Sequence, residues 1–263
     1  MTQSGGWLDD SFTGHSVIQA FLHNQADLAD LLAAATGGRH ERSDGLALAD
    51  SGGPVMYTNQ AVLLQPLLAS DDPRLERIEQ FFTGDHPAMV LSAWPTPNLA
   101  PRGWQLIGHP MFVVRAPGPH DTATPPGVTV VPVDDAVELA VAERVAVDGY
   151  PLPEAAGLPA YALFGTALLG GPVRIRVAYF DGVPAALGSG HAGHGVQNLC
   201  LAATAATARR RGAWRSLVWA RVDDAPDLPA AAFTSDDSRP GFLRLGFLPI
   251  TRLTLWLKPG AAA

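Results

Sequence analysis

The chain has 263 residues, 47% hydrophobic and 16% charged, with a formal net charge of −7. That length suits one large domain or two small ones with a substantial core, and the composition excludes general disorder. The acidic balance argues against nucleic-acid binding, whose footprint is basic, and leaves a cationic or amine substrate open. Cys200 is the sole cysteine, which excludes an intrachain disulfide and a cysteine zinc cluster. The opening MTQSGGWLDD has neither the basic region nor the apolar run of a signal peptide, and no apolar segment reaches spanning length without Gly, Pro or charge. A cytoplasmic protein that engages neither membrane nor nucleic acid is expected.

Ser16 to Ala35 reads as an amphipathic helix stopped by Gly37-Gly38, with Val17, Phe21, Leu28, Leu31 and Leu32 at helical spacing. Leu46 to Ala49 and Val55 to Leu64 read as strands around a Ser51–Pro54 turn. Asp71-Asp72-Pro73 predicts a helix start, with Leu75, Ile78 and Phe82 on one face. Ala88 to Trp94 fits a buried strand, Leu99 to His109 a short helix and Met111 to Arg115 a strand. The segment 117–127, crowded with Pro and Gly, reads as a linker between an amino-terminal half (1–116) and a carboxy-terminal domain (128–263).

The second half begins with a strand, Val128 to Val133, and a helix, Ala136 to Val147, introduced by Asp134-Asp135. A Pro- and Gly-rich stretch follows, with a short helix expected over Tyr161 to Leu169. Val173–Phe180 and Val183–Ser189 form a hairpin across Asp181-Gly182. The strand Val196 to Thr204 then runs into Arg209-Arg210-Arg211-Gly212, where a helix opens, and Ala230 to Ser235 is the next strand before the short helix ending in Leu245-Gly246-Phe247. This order predicts an α/β fold: a mixed sheet with helices on its faces.

The strand–turn–helix junction at Arg209–Gly212 has the chemistry of an anion site. The first amides of a helix lack internal partners, its dipole favours negative charge, and three guanidinium groups add donors suited to phosphate. The alternative is a solvated basic turn that caps a helix. The two halves also resemble each other: Gly103-Trp104 through Pro110 parallels Gly241-Phe242 through Phe247, and Thr58-Asn59-Gln60 parallels Gln197-Asn198-Leu199. In the first copy Asp71-Asp72 stands where the basic turn would be, so that half should not bind the same ligand.

From Val128 to Pro259 the chain resembles the GNAT acyltransferase superfamily. Arg209-Arg210-Arg211-Gly212-Ala213-Trp214 is similar to its acyl-CoA motif, Gln/Arg-x-x-Gly-x-Gly/Ala, and Phe242 through Gly246-Phe247 is similar to its later motif. The resemblance implies a pseudo-duplicated GNAT fold with a degenerate amino-terminal copy, acetyl-CoA or another acyl-CoA as co-substrate, and no metal. It further implies transfer of the acyl group to a primary amine of a small molecule by direct attack. Backbone at Ala202 and Thr204 would meet pantetheine between two splayed strands, and the amides of Arg211, Gly212, Ala213, Trp214 and Arg215, with Arg209 and Arg210, would cradle the diphosphate.

Alternate residues Asn198, Cys200, Ala202 and Thr204 share one strand face, which should look toward the acyl group. Cys200 is read as either a buried small hydrophobe or a reactive thiol. Ser235, Asp236 and Asp237 either stand near the departing sulfur or cap the following helix. Tyr150 lies in the loop expected to meet the acceptor. Three residues depart from the family pattern. Trp214 replaces a small residue, Phe242 stands where many members carry a tyrosine acid, and Asn198 stands where some carry a glutamate base. They keep two other readings open, a binding module that has lost its chemistry and an acyl-thioester decarboxylase, hydrolase or carrier-protein-dependent acyltransferase. A carrier protein or a second copy of the chain is thus a candidate partner.

Overall fold

In a computed structural model, residues 16–150 and 152–260 are described, so the amino-terminal stretch read for a signal segment lies outside them. The first half opens with α1 (Val17–Ala35), capped by the Ser16 hydroxyl, which accepts from the Gln19 amide. Four strands and a helix follow: β1 (Arg39–Ser43), β2 (Leu46–Asp50), β3 (Asn59–Leu63), α2 (Pro73–Phe81) and β4 (Ala88–Ser92). Two short strands, β5 (Gln105–Gly108) and β6 (Met111–Arg115), close that half. The second half has β7 (Val128–Pro132), α3 (Ala136–Gly149), β8 (Val173–Phe180), β9 (Val183–Gly193), β10 (Val196–Thr204), α4 (Ala213–Val222), β11 (Ala230–Thr234), α5 (Arg239–Arg244), β12 (Leu248–Arg252) and β13 (Thr254–Lys258).

The strands form two sheets, and each sheet contains one strand from the other half. The first runs β1-β2-β3-β4-β13-β5 and the second β12-β6-β11-β10-β9-β8-β7. Strand β13 lies antiparallel to β4 from Thr254↔Ser92 to Lys258↔Ala88, and β6 lies antiparallel to β11 from Met111↔Thr234 to Arg115↔Ala230. The exchange is reciprocal: β13, the last strand of the second half, lies between β4 and β5, and β6, the last of the first, lies between β11 and β12. The sequence divisions 1–116 and 128–263 therefore cut across both sheets. The apolar cost of undoing the exchange is large, because Phe112, Val113 and Leu253 are fully buried and Leu255 nearly so.

Two helices expected from sequence form only as 3-10 turns, each for a local reason. Over 99–109, Ala100–Arg102 makes one turn, which ends at Gly103 with φ 83 as the Trp104 amide donates back to the Leu99 carbonyl, and β5 follows. Over 161–169, only Thr166–Leu168 forms a 3-10 helix, after a non-helical turn at 161–164. The amides of Tyr161, Leu163 and Phe164 donate instead to the buried Glu143 carboxylate of α3, at 2.5, 2.8 and 2.9 Å. Strand β1, RHERS, carries no alternating apolar signal because it is an exposed edge.

The repeat is present in a different register. Gly103-Trp104 corresponds to Gly246-Phe247: both glycines have φ 83, and both aromatic residues are buried. The Phe247 amide donates to the Phe242 carbonyl as the Trp104 amide does to Leu99. The pairings Gln60↔Met89 and Asn198↔Ala231 likewise make Gln60 and Asn198 equivalent.

Candidate active site

The second sheet opens where β10 leaves β11. The two strands pair only at Gln197↔Ala230 and Asn198↔Ala231 and then separate. A bulge between Cys200 and Ala203 in the ladder with β9, with Leu201 at φ 45, turns β10 away. The bulge breaks the expected alternation, so Leu199, Cys200, Leu201 and Ala202 all line one cavity of about 620 Å³. Below it, Arg221 is fully buried and grips the bulge. Its Nη1 donates to the carbonyls of Ser189 and Cys200 at 3.2 and 3.3 Å, and its Nε to that of Leu217 at 3.0 Å. Burial, with no carboxylate in hydrogen-bond reach, pulls this guanidinium down to about 10.

The carboxyl end of β10 leads to the arginine turn. Arg210 and Gly212 both take positive φ, and no side chain caps the amides that open α4. Arg209, Arg210 and Arg211 are exposed; Arg209 Nε donates to the Thr204 carbonyl at 3.4 Å, and the Arg211 guanidinium sits 4.8 Å above the Phe180 ring. Arg215 is drawn aside, paired with Asp121 of the 117–127 segment, and Pro125 packs against Gly212. Ala213 is buried in the core under the turn.

The Trp214 ring leans across to α5. It meets Phe242 edge-on with centroids 5.0 Å apart and lies so close to Gly241 that a Cβ there would fall 2.8 Å from Cη2. It lines the cavity wall and packs with the cluster around Phe242 and Phe247. Phe242 is largely buried, packs edge-on against Trp214 and Phe247, and also lines the cavity.

In the first half the equivalent cleft is shut. Strands β3 and β4 stay paired from Gln60↔Met89 to Val62↔Leu91, and the start of α2 is occupied by its own acid, since the Asp72 carboxylate accepts from the Arg74 amide. Asp72 also binds the Arg74 side chain, which holds its carboxyl below the usual range. One helix start presents a carboxylate and the other presents none, as Asp71-Asp72 against the arginine turn implied.

The four residues read as catalytic separate here. Asn198 is buried and faces the first half: its amide donates to Gln25 Oε1 of α1 at 2.9 Å, Gln25 donates to Gln60 Oε1 at 2.9 Å, and Gln60 donates to the Tyr57 carbonyl. Asn198 therefore joins the two halves and does not face the cavity, a correction forced by a partner far away in sequence. Cys200 lines the cavity, and burial pushes its thiol up to about 11, so the neutral form prevails. Ser235 lines the mouth, where its Oγ accepts from the Ser238 amide at 3.2 Å in the turn before α5, whose start has no side-chain cap, while exposed Asp237 stands apart from the lining. Asp236 pairs with Arg252 at the mouth.

The opposite wall comes from the first half and was not read from sequence: Gln25, Tyr57 and Gln60, with Leu255 and Leu257 from the exchanged β13. The signal was an Asn24-Gln25 pair on the buried side of α1, and its meaning depends on a distant chain segment that spacing cannot reveal. Tyr150 completes the wall. Burial, then neighbouring Tyr57, raise its pKa, so the phenol keeps its proton.

Solved structures share the overall arrangement of this chain. A GCN5-related N-acetyltransferase from Kribbella flavida superposes with a TM-score of 0.58 at 21% identity, covering 90% of this chain and 96% of its own. The chain has the GNAT fold. A GNAT-family structure from Novosphingobium aromaticivorans matches at TM-score 0.55 and 15% identity over 89% of this chain and 99% of its own. A conserved protein of unknown function from Staphylococcus epidermidis reaches 0.57 at 12% identity, with 84% and 93% covered. No protein-family model and no curated protein sequence matches. No helix among the described residues is long and apolar enough to cross a membrane.

Proposed function

We propose that the chain is a cytoplasmic acyl-CoA-dependent N-acyltransferase that acetylates a primary amine of a small molecule by direct attack. The observation that carries this reading is the opening of β10 from β11 onto an uncapped helix start behind three exposed arginines. The residues present fit an acyl-CoA: the Trp214 ring lies against α5, clear of the turn, and the cleft between the strands is open. Acetyl-CoA would supply an activated acyl thioester. Arg209, Arg210 and Arg211 with the first amides of α4 would hold its diphosphate, and the cleft beside Ala202 its pantetheine. The bulge fixes the direction of the backbone groups at Leu201 and Ala202, and Tyr150 holds a proton at its hydroxyl beside them.

Asn198 and Phe242 favour a second reading, a binding module without turnover, because neither can move a proton. Calorimetric titration with acetyl-CoA and with CoA tests the first. Arg209→Ala and Arg211→Ala should each weaken binding by about three- to tenfold, the range for exposed charge-assisted contacts. Folded protein that binds no acetyl-CoA at millimolar concentration ends the proposal, and binding without turnover of any amine selects the second reading.

A further inference from the structure

A second cavity of about 310 Å³ adjoins the first, and the two share Met56, Tyr57, Tyr150 and Leu257 as wall. The Tyr57 and Tyr150 rings, 5.6 Å apart between centroids, form the partition. No residue of α4, β11 or α5 contributes to the second cavity, so it lies away from the arginine turn. Its lining is apolar except for one charged residue, exposed Glu154. In the first cavity the charged residues and the imidazole are His109, Asp236 and Arg252. They cluster at the exposed mouth, where Arg252 binds both the His109 carbonyl and Asp236. Beyond the mouth the titratable groups are Tyr57, Tyr150 and Cys200, each pushed toward its neutral form by burial.

We infer that this paired cavity takes an aromatic amine: a flat apolar body in the second cavity and a weakly basic nitrogen directed past the tyrosines to the bulge. The inference rests on the proposed acyltransfer and narrows its acceptor. An alkylammonium would enter charged, lose its hydration against an apolar wall and need a base, and the inner lining offers none. Asn198, at the position expected for that base, is committed to Gln25. An arylamine is already neutral near pH 7. Its nitrogen lone pair forms the C–N bond as the thioester C–S bond breaks, and the nitrogen's surplus proton ends on the departing sulfur, giving an anilide and a free thiol. The tyrosine partition gives an aromatic ring in the second cavity a face to pack against.

The full chain is titrated with 4-methylaniline, followed by ligand-observed NMR, with and without CoA. CoA release from acetyl-CoA is then measured with 4-methylaniline, benzylamine and lysine. Expected are aniline binding that Leu257→Glu weakens at least tenfold and Leu257→Met retains, and a kcat/KM for the aniline at least tenfold above that for benzylamine. Leu152→Glu, at the loop side of the second cavity, repeats the loss if the β13 variant fails to fold. Absence of aniline binding overturns the site whatever acetyl-CoA does. Acetyl-CoA turnover with benzylamine or lysine equal to or above the aniline overturns the acceptor class while leaving the acyltransfer standing. Aniline binding without acetyl-CoA binding keeps the aromatic site and removes the acyltransfer.

Discussion

The contact between Gly241 and Trp214 gives the sharpest test of how the cleft is walled. Gly241 lies within α5, with backbone that any residue can adopt, so alanine there should stabilise the helix by about 0.5–1 kcal/mol. The new Cβ, however, would fall 2.8 and 2.9 Å from two atoms of the Trp214 ring, about 1 Å inside ordinary contact. Overpacking of that kind costs about 1–3 kcal/mol. Net destabilisation of about 0.5–2 kcal/mol is therefore expected in the native background.

In a Trp214→Ala background the obstacle is gone and only the helix term remains, so the sign reverses. Trp214→Ala itself should cost toward the low end of about 3–5 kcal/mol, because its ring is only partly buried. The cycle is read from urea unfolding midpoints of the four proteins, with the coupling of about 1–3 kcal/mol as the result. The native ring lines the cavity, so a ring displaced into it by Gly241→Ala should also lower acetyl-CoA affinity, and only when Trp214 is present. An equal shift from Gly241→Ala in both backgrounds refutes the placement of the ring against α5.

Glu143→Gln keeps one acceptor oxygen but turns an amide donor toward another N–H in the Tyr161–Phe164 turn, and should cost about 1–3 kcal/mol by urea unfolding. A loss below about 0.5 kcal/mol would show that the turn does not depend on this carboxylate. With its thiol near 11, Cys200 should react with iodoacetamide at a rate that climbs with pH through 10, since the thiolate is the reactive form and grows until pH passes its pKa. A plateau above pH 9 would contradict that environment. A fragment of residues 128–263 lacks β6 between β11 and β12 and leaves β13 without β4, so gel filtration should find it aggregated or oligomeric. A monodisperse monomer with native-like circular dichroism would refute the strand exchange.

Local chemistry was legible in the sequence. Asp135 caps α3 through its side chain, Asp181-Gly182 turns the β8–β9 hairpin with both residues at positive φ, and Gly212 opens α4 after the arginines. Pairing across the chain was not. Strands β6 and β13 are apolar enough to satisfy either sheet, and nothing in Met111–Arg115 or Thr254–Lys258 says which neighbours they take. The bulge at Cys200–Ala203 also escaped, because a run of small and apolar residues reads as plain alternation until Arg221 supplies the carbonyl partners that hold it bent. The repeat was found in the wrong register for a similar reason: glycine followed by an aromatic residue occurs at both Gly241 and Gly246, and only Gly246 shares the backbone of Gly103.

The fate of Asn198 links the fold to the chemistry. Gln60 and Asn198 hold equivalent places in the two halves, and both amides meet at Gln25, which receives from one and donates to the other. Asn24, one residue earlier, donates to the carbonyls of His191, Gly193 and Val196, so α1 is fastened to both sheets by buried amides. A carboxylate at Asn198 would face Gln25 Oε1 acceptor to acceptor in a buried site, at a cost of several kcal/mol unless it took up a proton. A charged base is thus incompatible with the joint that carries the cavity's far wall. The same joint orders Gln60, whose amide holds the Tyr57 carbonyl and with it one side of the tyrosine partition. Under the proposed acyltransfer, with no base at that position, proton handling at the cleft would fall to the nucleophile's own basicity and to the Tyr150 hydroxyl.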